Sequence, residues 1–338
     1  MLRRLLCLLA CCMLVPAMAL AKEDQDELRK SLDKAREAQD IRGTGLPAFQ
    51  LSGVIKIWVS KGKDIDGLYT YSWLGDGKWK EELVFPGYRR VRVGDGKNYW
   101  QVRTTAEETL PILQLNDLLS KDPIPGIEAG EELKKARGQK IGGRKTDCVR
   151  RRMKGQGTWD YCFARDSGNL LRIVAGEGHS PVEWRIERRE YSDYANWQGK
   201  FYPRTVQGYD AKNLSMEVRF GEIKPLPSVP ANFLEKPKEA TAWLECPSER
   251  AWRLDKRVQP IYPSEARAAK VQGTVQLYAV IEQDGHVSEM ALANNADKSL
   301  VSAAATAVRN WIYRRTDACP SAEGKSEAMI LVNFSIQY

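Results

Sequence analysis

The residue types that most often carry catalysis are scarce in this chain. Histidine occurs only at His179 and His286, so a Ser-His-Asp or Cys-His arrangement has few candidates. His286 follows an Asp-Gly pair, where turn geometry explains it. Gly324-Lys325-Ser326 is similar to the end of a phosphate-binding loop, but Cys319 stands where the first glycine of that loop belongs. We therefore predict no enzymatic activity and no cofactor.

Cysteines are the other reactive group in the sequence. Four of the seven follow residue 22, namely Cys148, Cys162, Cys246 and Cys319. An even number of cysteines in an exported protein predicts disulfides. We favour Cys148 with Cys162, which lie on consecutive strand-like runs, and Cys246 with Cys319 across the last domain; buried free thiols are the alternative. Because no CxxC spacing occurs and histidine is rare, no metal site is predicted.

The first residues have the pattern of a secretory signal. Arg3 and Arg4 precede an apolar run from Leu5 to Leu20, and the small residues Ala19 and Ala21 have the spacing of a cleavage site. We predict cleavage after Ala21, which places the mature protein in the periplasm, free or associated with a membrane. The run is short for a span of roughly 20 residues. A signal retained as a membrane anchor is the alternative.

Composition and hydrophobic period indicate a globular α+β protein. The 338 residues are 43% hydrophobic and 28% charged, with a formal net charge of +8. A helix is predicted over Asp24 to Asp40, because Leu28 and Leu32 recur at helical spacing. From Leu51 to Ile223 the period changes to two, with turn residues at hairpin spacing and one further helix over Thr105 to Ser120. We predict a curved antiparallel sheet or half-open β-barrel with helices.

Four prolines between residues 225 and 237 interrupt the strand pattern. After them we predict two strands, a helix from Ser299 to Arg315 and a last strand from Glu327 to Tyr338, with Leu300, Ala304, Val308 and Trp311 on the apolar face of the helix. The predicted division is a signal peptide (1–21), a β domain (22–234), a linker (235–254) and a small ββαβ domain (255–338).

Several short motifs occur in order over the last eighty residues: Tyr262-Pro263, Gly273-Thr274-Val275, Asp284-Gly285, Ala307-Val308-Arg309 and Trp311-Ile312-Tyr313. The Asp-Gly pair closes a hairpin, the glycine before a strand permits close backbone approach, and the aromatic residues fill a helix–sheet interface. With this pattern the segment resembles the TonB C-terminal domain family.

In that family an extended peptide adds to a sheet edge, and the resemblance implies the same strand addition here. The residues carried over are Gln259, Tyr262, Pro263, Val332, Phe334 and Ile336. Envelope proteins, including outer-membrane receptors, are the implied partners, and edge pairing in that family allows a homodimer. A rigid corner at Tyr262-Pro263 without a binding role is the alternative reading.

The earlier part of the chain carries a second resemblance. The turn Asp166-Ser167-Gly168-Asn169 and the later succession from Tyr191 through Tyr202-Pro203 are similar to those of the LolA-like family of outer-membrane lipoprotein-sorting proteins. That family forms a half-open barrel whose apolar hollow holds acyl chains, which implies lipid or lipoprotein as a ligand. The residues that would line such a hollow include Trp58, Tyr71, Trp73, Trp100 and Trp184. An ordinary aromatic core is the alternative.

These patterns predict a non-enzymatic cell-envelope binding protein that docks an extended peptide and handles lipid or lipoprotein. The alternative function is that of a membrane-anchored TonB-type energy transducer for outer-membrane transport. A folded β domain in place of a long proline-rich spacer argues against that alternative. Arg150-Arg151-Arg152 lies in a strand-like run, where alternation splits the side chains between two faces, and no nucleic-acid partner is predicted.

Overall fold

The computed structural model describes residues 24–58, 64–96, 99–104, 110–127, 130–153, 157–176, 186–210, 212–244, 251–294, 296–316 and 324–336. The predicted signal peptide, Trp184, Cys246 and Cys319 lie outside these residues. None of the helices in the described ranges is long and apolar enough to cross a membrane.

The elements whose bounds lie within the described ranges are four helices and twenty strands. The helices are α1 (24–39), α2 (Leu110–Leu118), α3 (Ser264–Ala268) and α4 (Lys298–Val308). The strands are β1 (Phe49–Ile57), β2 (Ile65–Gly75), β3 (Lys78–Phe85), β4 (Tyr88–Asp95), β5 (Tyr99–Arg103), β6 (Glu132–Ala136), β7 (Lys140–Ile141), β8 (Arg144–Met153), β9 (Gly157–Ala164), β10 (Leu170–Ala175), β11 (Arg188–Trp197), β12 (Lys200–Asp210), β13 (Asn213–Phe220), β14 (Lys224–Pro225), β15 (Thr241–Trp243), β16 (Trp252–Lys256), β17 (Gly273–Ile281), β18 (Val287–Leu292), β19 (Ile312–Arg315) and β20 (Ser326–Phe334). The predicted α+β class with antiparallel sheets is confirmed.

One compact unit has its described residues within 1–43, 120–181 and 187–213. Its strands follow the order β12-β11-β10-β9-β8-β6, and the two outer strands do not pair with each other. The predicted first helix is confirmed as α1, whose Leu28 and Leu32 are buried. Gln25 exchanges hydrogen bonds with the backbone of Leu133, at 2.9 and 3.2 Å. This pairing fixes the start of α1 against β6.

The arginine run on β8 divides between two faces, as alternation predicts. Arg151 is fully buried, and its guanidinium donates to Glu131 at 2.8 Å and to the carbonyl of Pro125 at 2.7 Å. Arg150 points to the opposite face, where it forms a two-bond ion pair with Asp160 at 2.6 and 2.8 Å. Arg150 therefore has its carboxylate partner on the neighbouring strand β9, and Arg151 has its partner immediately before β6.

The predicted disulfide between Cys148 and Cys162 is confirmed. The two residues lie directly opposite each other on β8 and β9, and both are buried. Replacing both by alanine is expected to lower the free energy of unfolding by roughly 3 kcal/mol, because the bond closes a short loop in the unfolded chain. Urea unfolding of the variant and the oxidised parent measures this; equal midpoints would contradict it.

The second compact unit contains residues 44–119, 182–186 and 214–338. Its first part, which we call the meander, has the strand order β15-β5-β4-β3-β2-β1-β13, with β14 beside the start of β1. Its outer strands β15 and β13 do not pair with each other. Helix α2 contacts one side of these strands, where Arg90 of β4 donates to the side-chain oxygen of Asn116 at 2.9 Å, and Leu115 of the helix is fully buried.

Strand alternation gives the meander two different faces. The packed face includes the buried side chains Phe49, Leu51, Ile55, Tyr69, Tyr71, Leu83 and Arg90, which the register aligns across β1 to β4. The open face carries Val54, Leu68 and Val84, which are direct cross-strand neighbours. Of these, Val54 is 54% exposed and Leu68 is 59% exposed.

The C-terminal segment, residues 255–338, contains a sheet of order β18-β17-β20, and its β19 pairs with β16. The prediction of one helix from Ser299 to Arg315 is wrong beyond Val308. The amide of Trp311 donates to the carbonyl of Val308 at 3.0 Å, which turns the chain, and β19 then pairs with β16. Trp311 packs into the same core as the helix, so its position in the apolar pattern did not reveal the turn.

The region predicted as a linker contains a strand that pairs on both sides. Thr241 on β15 lies opposite Gln101 on β5 in an antiparallel ladder. Trp243 forms a single parallel bridge with Lys325, immediately before β20. The chain therefore joins the meander to the C-terminal sheet through main-chain hydrogen bonds.

Candidate functional site

The C-terminal sheet has a helix face that forms a closed core. Val275 and Val332 from neighbouring strands are fully buried against Leu300 and Val308 of α4. Asp297 caps the helix by accepting from the amide of Ser299 at 2.9 Å, which satisfies one of the free donors of the first turn. All four predicted apolar residues of this region are buried in that core.

Strand β20 has one edge bound to β17 and one edge facing away from it. The amide of Lys325 donates to the carbonyl of Ala242 at 2.9 Å, and its carbonyl accepts from the amide of Leu244 at 2.8 Å. Successive residues of a strand direct their backbone groups to opposite edges, so those of Glu327, Met329, Leu331 and Asn333 point to the same side as Lys325. Among the described strands, none pairs with that side beyond Lys325. We call this stretch, 327–333, the free edge.

Two of the predicted peptide-binding residues meet at the end of β20. The rings of Tyr262 and Phe334 are in edge-to-face contact, with centroids 5.5 Å apart. The hydroxyl of Tyr262 donates to the carbonyl of Val271 at 2.5 Å. Pro263 is the N-cap residue of α3, and Gln259 is exposed. The Tyr-Pro pair therefore forms a fixed corner beside the last residue of the strand.

The free edge is not formed by the predicted residues Val332, Phe334 and Ile336. Val332 and Phe334 bury their side chains in the core, and by alternation their backbone groups face β17. The amide of Ile336 donates to the side chain of Gln272 at 2.8 Å. Sequence reasoning missed Leu331, which is 53% exposed beside the free edge. Its place in the alternating pattern between buried neighbours could have identified it.

The second face of the C-terminal sheet, which we call the meander face, contacts the meander through an arginine. Arg103 on β5 donates to Glu289 at 2.5 Å and to the hydroxyl of Tyr278 at 3.1 Å. Its guanidinium also lies 5.5 Å from the ring centre of Trp243 and 3.6 Å from Glu327. The Arg103 side chain is only 7% exposed. It thus joins β15, β17, β18 and β20 at one point.

The charged contacts continue into the packed face of the meander. Glu327 lies 3.5 Å from Arg92, which lies 3.7 Å from Glu81. Glu81 accepts from the hydroxyl of Tyr69 at 3.1 Å. Burial raises the pKa of Tyr69 well above its ordinary value, and the charge of Glu81 raises it further, so the phenol stays neutral and donates. Charges of opposite sign therefore alternate from the packed face to β20.

Four of the aromatic residues predicted for an apolar hollow are in the described part of the chain, and these four divide between two faces of the meander. Tyr71 and Trp73 are on the packed face, where Tyr71 contacts the ring of Phe49 at 6.1 Å and is buried. By strand alternation, Trp58 and Trp100 lie on the opposite side, the open face. Both are partly exposed. The packed face is thus filled with aromatic side chains of the chain itself.

A cavity of about 710 Å³ lies at the end of β1 and the start of β2. Its lining includes Trp58, Leu68 and Phe85 together with charged residues. Three of those charged residues are paired within the chain: Lys56 with Asp64 at 3.1 Å, and Arg219 with Glu217 at 2.6 Å. The cavity therefore combines an apolar surface with a charge-balanced rim.

The last segment of the chain matches the model of a known protein family. Residues 258–336 match the model of the Gram-negative bacterial TonB protein C-terminal. The predicted resemblance is confirmed over this segment. It indicates an envelope-associated role in binding or transport.

Three solved structures match this chain over nearly all of their own length. They are a LolA superfamily protein from Nitrosomonas europaea (10% identity, 61% of this chain and 97% of that chain, TM-score 0.40), a putative outer membrane lipoprotein-sorting protein domain from Vibrio parahaemolyticus (9%, 62% and 97%, 0.42) and a DUF1329 family protein from Desulfovibrio piger (12%, 64% and 97%, 0.43). These matches agree with the second predicted resemblance. No curated protein matches the sequence.

Proposed function

We propose that this protein is a non-enzymatic binding protein of the cell envelope that docks an extended peptide along the free edge of β20. The observation that carries the proposal is the direction of the backbone groups at 327–333, which the two hydrogen bonds of Lys325 define. An exposed edge of this kind accepts another strand through main-chain hydrogen bonds. The family match over 258–336 supports the same mode of binding. The proposed partners are envelope proteins, outer-membrane receptors among them.

The chain itself already uses this edge for strand pairing. Ala242 and Leu244 bond to Lys325 from the same side that the free edge faces. The edge therefore has the geometry to pair with an added strand without a change in β20. The free energy of binding would come from main-chain hydrogen bonds, with specificity from the flanking side chains.

Replacing Leu331 by proline is expected to abolish peptide docking while the protein stays folded. The amide at this position points to the free edge and not to β17, so proline removes a donor that the fold does not use. Peptides selected from a random library on the unaltered protein should bind the Leu331→Pro variant about tenfold more weakly or worse, measured by fluorescence anisotropy.

The matched control is proline one residue earlier. The amide of Ile330 faces β17, opposite Leu277, so Ile330→Pro breaks the ladder and should unfold the C-terminal segment. Undiminished peptide binding by Leu331→Pro would count against strand addition at this edge.

We propose a second binding function for the cavity at the open face, namely binding an acyl chain of a lipid or lipoprotein. Its volume of about 710 Å³ and its apolar lining by Trp58 and Leu68 suit an elongated apolar ligand. Of the predicted hollow residues that the structure describes, Trp58 alone lines this cavity.

A charge placed in the cavity is expected to prevent lipid binding. Leu68 is 59% exposed, so Leu68→Lys should fold normally and weaken binding of a fluorescent fatty acid by about tenfold or more, because an ammonium replaces apolar surface. Leu254, which is 39% exposed and lies on β16, provides the control Leu254→Lys. Equal binding by the two variants would refute the cavity as the site.

A further inference from the structure

The two-stranded sheet of β16 and β19 carries an excess of positive charge. Together with Arg257, which follows β16, we call it the basic ribbon; its charged residues are one acidic residue, Asp255, and the cations Arg253, Lys256, Arg257, Arg314 and Arg315. Asp255 lies 3.6 Å from Arg314, and both of these side chains are more than half exposed. An exposed ion pair contributes little to stability. The cations are therefore not explained by the ion pair that the ribbon contains.

Two arginines of the basic ribbon lie side by side. The strand register places Arg253 directly opposite Arg314, and both are exposed. By alternation they occupy the face opposite to that of Trp252, which is buried. Like charges directly opposite each other destabilise an antiparallel pair. The arrangement therefore opposes folding, and an anionic partner lying across both guanidiniums would remove the repulsion.

Aromatic side chains hold the basic ribbon and two more of its cations in place. The indole N–H of Trp252 donates to the hydroxyl of Ser326 at 2.9 Å, which fixes β16 against the start of β20. The guanidinium of Arg315 lies 5.8 Å from the ring centre of Trp252, and that of Arg257 lies 5.5 Å from the ring centre of Trp311. Such cation–π contacts restrict the side chains. A partner would thus meet cations that are already positioned, which lowers the entropy cost of binding.

An exposed apolar side chain lies among these charges. Leu254 follows Arg253, lies opposite Tyr313 and is 39% exposed. Cations mixed with exposed apolar side chains suit the boundary between phospholipid headgroups and acyl chains, and guanidiniums match the geometry of phosphate oxygens. An acidic peptide would place charged groups against Leu254 instead. The composition of the basic ribbon therefore favours a phospholipid surface over an acidic peptide.

We propose that the basic ribbon docks this protein on the surface of a bilayer that contains anionic phospholipids. Arg253 and Arg314 lie across the lipid phosphates, and Leu254 lies at the boundary between headgroups and acyl chains. No residue of the basic ribbon belongs to the free edge or lines the cavity at the open face. Docking on a bilayer is therefore a function separate from peptide docking and acyl-chain binding.

Co-sedimentation of the exported protein with lipid vesicles tests this proposal. The protein should bind vesicles of mixed phosphatidylglycerol and phosphatidylcholine, and binding should fall about tenfold or more when the salt is raised to roughly 0.5 M. The double variant Arg253→Gln/Arg314→Gln should bind these vesicles about tenfold more weakly or worse, because each cation near an anionic surface adds severalfold to the affinity. Its thermal midpoint should be unchanged or raised, since opposed like charges are removed.

The matched control removes the same net charge elsewhere. The side chains of Arg89 and Arg165 are 56% and 57% exposed, so Arg89→Gln/Arg165→Gln should retain vesicle binding. Undiminished binding by Leu68→Lys and by Leu331→Pro would separate the basic ribbon from the cavity and from the free edge. Equal binding by the two double variants, or equal binding to vesicles of phosphatidylcholine alone, would overturn the proposal. Binding of polyglutamate without binding of vesicles would overturn it too, because the partner would then be an acidic peptide.

Discussion

Replacing Arg103 by alanine is expected to lower the free energy of unfolding by about 3 kcal/mol, because it removes a buried guanidinium that bonds the partly buried carboxylate of Glu289 and the hydroxyl of Tyr278. Arg103 bonds Glu289 and Tyr278 and lies near Glu327. These three residues belong to the C-terminal sheet, while Arg103 belongs to the meander. The variant should therefore also weaken the contact between the two parts of this unit. Urea unfolding followed by tryptophan fluorescence measures the loss, and a separate early transition of the C-terminal segment would reveal the loosened contact.

Arg89, a second arginine of the meander, provides the control. Arg89 on β4 donates to Glu82 at 2.6 Å, but its side chain is 56% exposed. Exposed ion pairs contribute about 0–1 kcal/mol, so Arg89→Ala should change stability little. Equal losses in the two variants would show that the buried position of Arg103 is not what makes it important.

Replacing Gly285 by alanine is expected to cost about 3 kcal/mol in stability, from a strained backbone and an overlap of atoms. Gly285 has a φ of +88°, and a Cβ atom there would lie 1.8 Å from the carbonyl oxygen of Tyr313. The carbonyl of Gly285 also accepts from the amide of Tyr313 at 2.8 Å. The substitution should therefore separate the turn from β19 and lower the thermal midpoint and the soluble yield.

The matched control is a glycine whose replacement meets ordinary contacts. At Gly221 a Cβ atom would lie 3.7 Å from the carbonyl oxygen of Ser52, a normal van der Waals distance. Gly221→Ala should change the thermal midpoint by only a few degrees. A normal midpoint for Gly285→Ala would contradict the packing described for the turn.

Local patterns were sufficient to predict most of the meander. Strands β1 to β5 follow one another through short turns, so each pairs with its neighbour in sequence, and glycine and aspartate mark the turns. Strands β15, β16 and β19 pair with partners far away in the chain, such as Thr241 with Gln101 and Trp252 with Arg315. Short strands with distant partners have no periodic signal of their own, and the linker and the long helix were predicted in their place.

The candidate site was only partly accessible to sequence reasoning. The Tyr262-Pro263 corner and the last strand were predicted, and Tyr262 does contact Phe334. Alternation could identify Leu331 as exposed, but the direction of the backbone groups depends on the bonds of Lys325 to a residue more than eighty positions earlier. The ion pair of Arg103 and Glu289 spans 186 positions. Such contacts follow from tertiary packing and leave no local trace.

Amide hydrogen exchange of the full chain, resolved to single residues of β20, tests the free edge most directly. The amides of Ala328, Ile330 and Val332 face β17, and that of Lys325 is bonded to Ala242, so all four should exchange slowly. The amides of Leu331 and Asn333 should exchange orders of magnitude faster, because they point to the open side of the strand. Equally slow exchange at Leu331 and Asn333 would show that this edge is already covered and would contradict the proposed docking site.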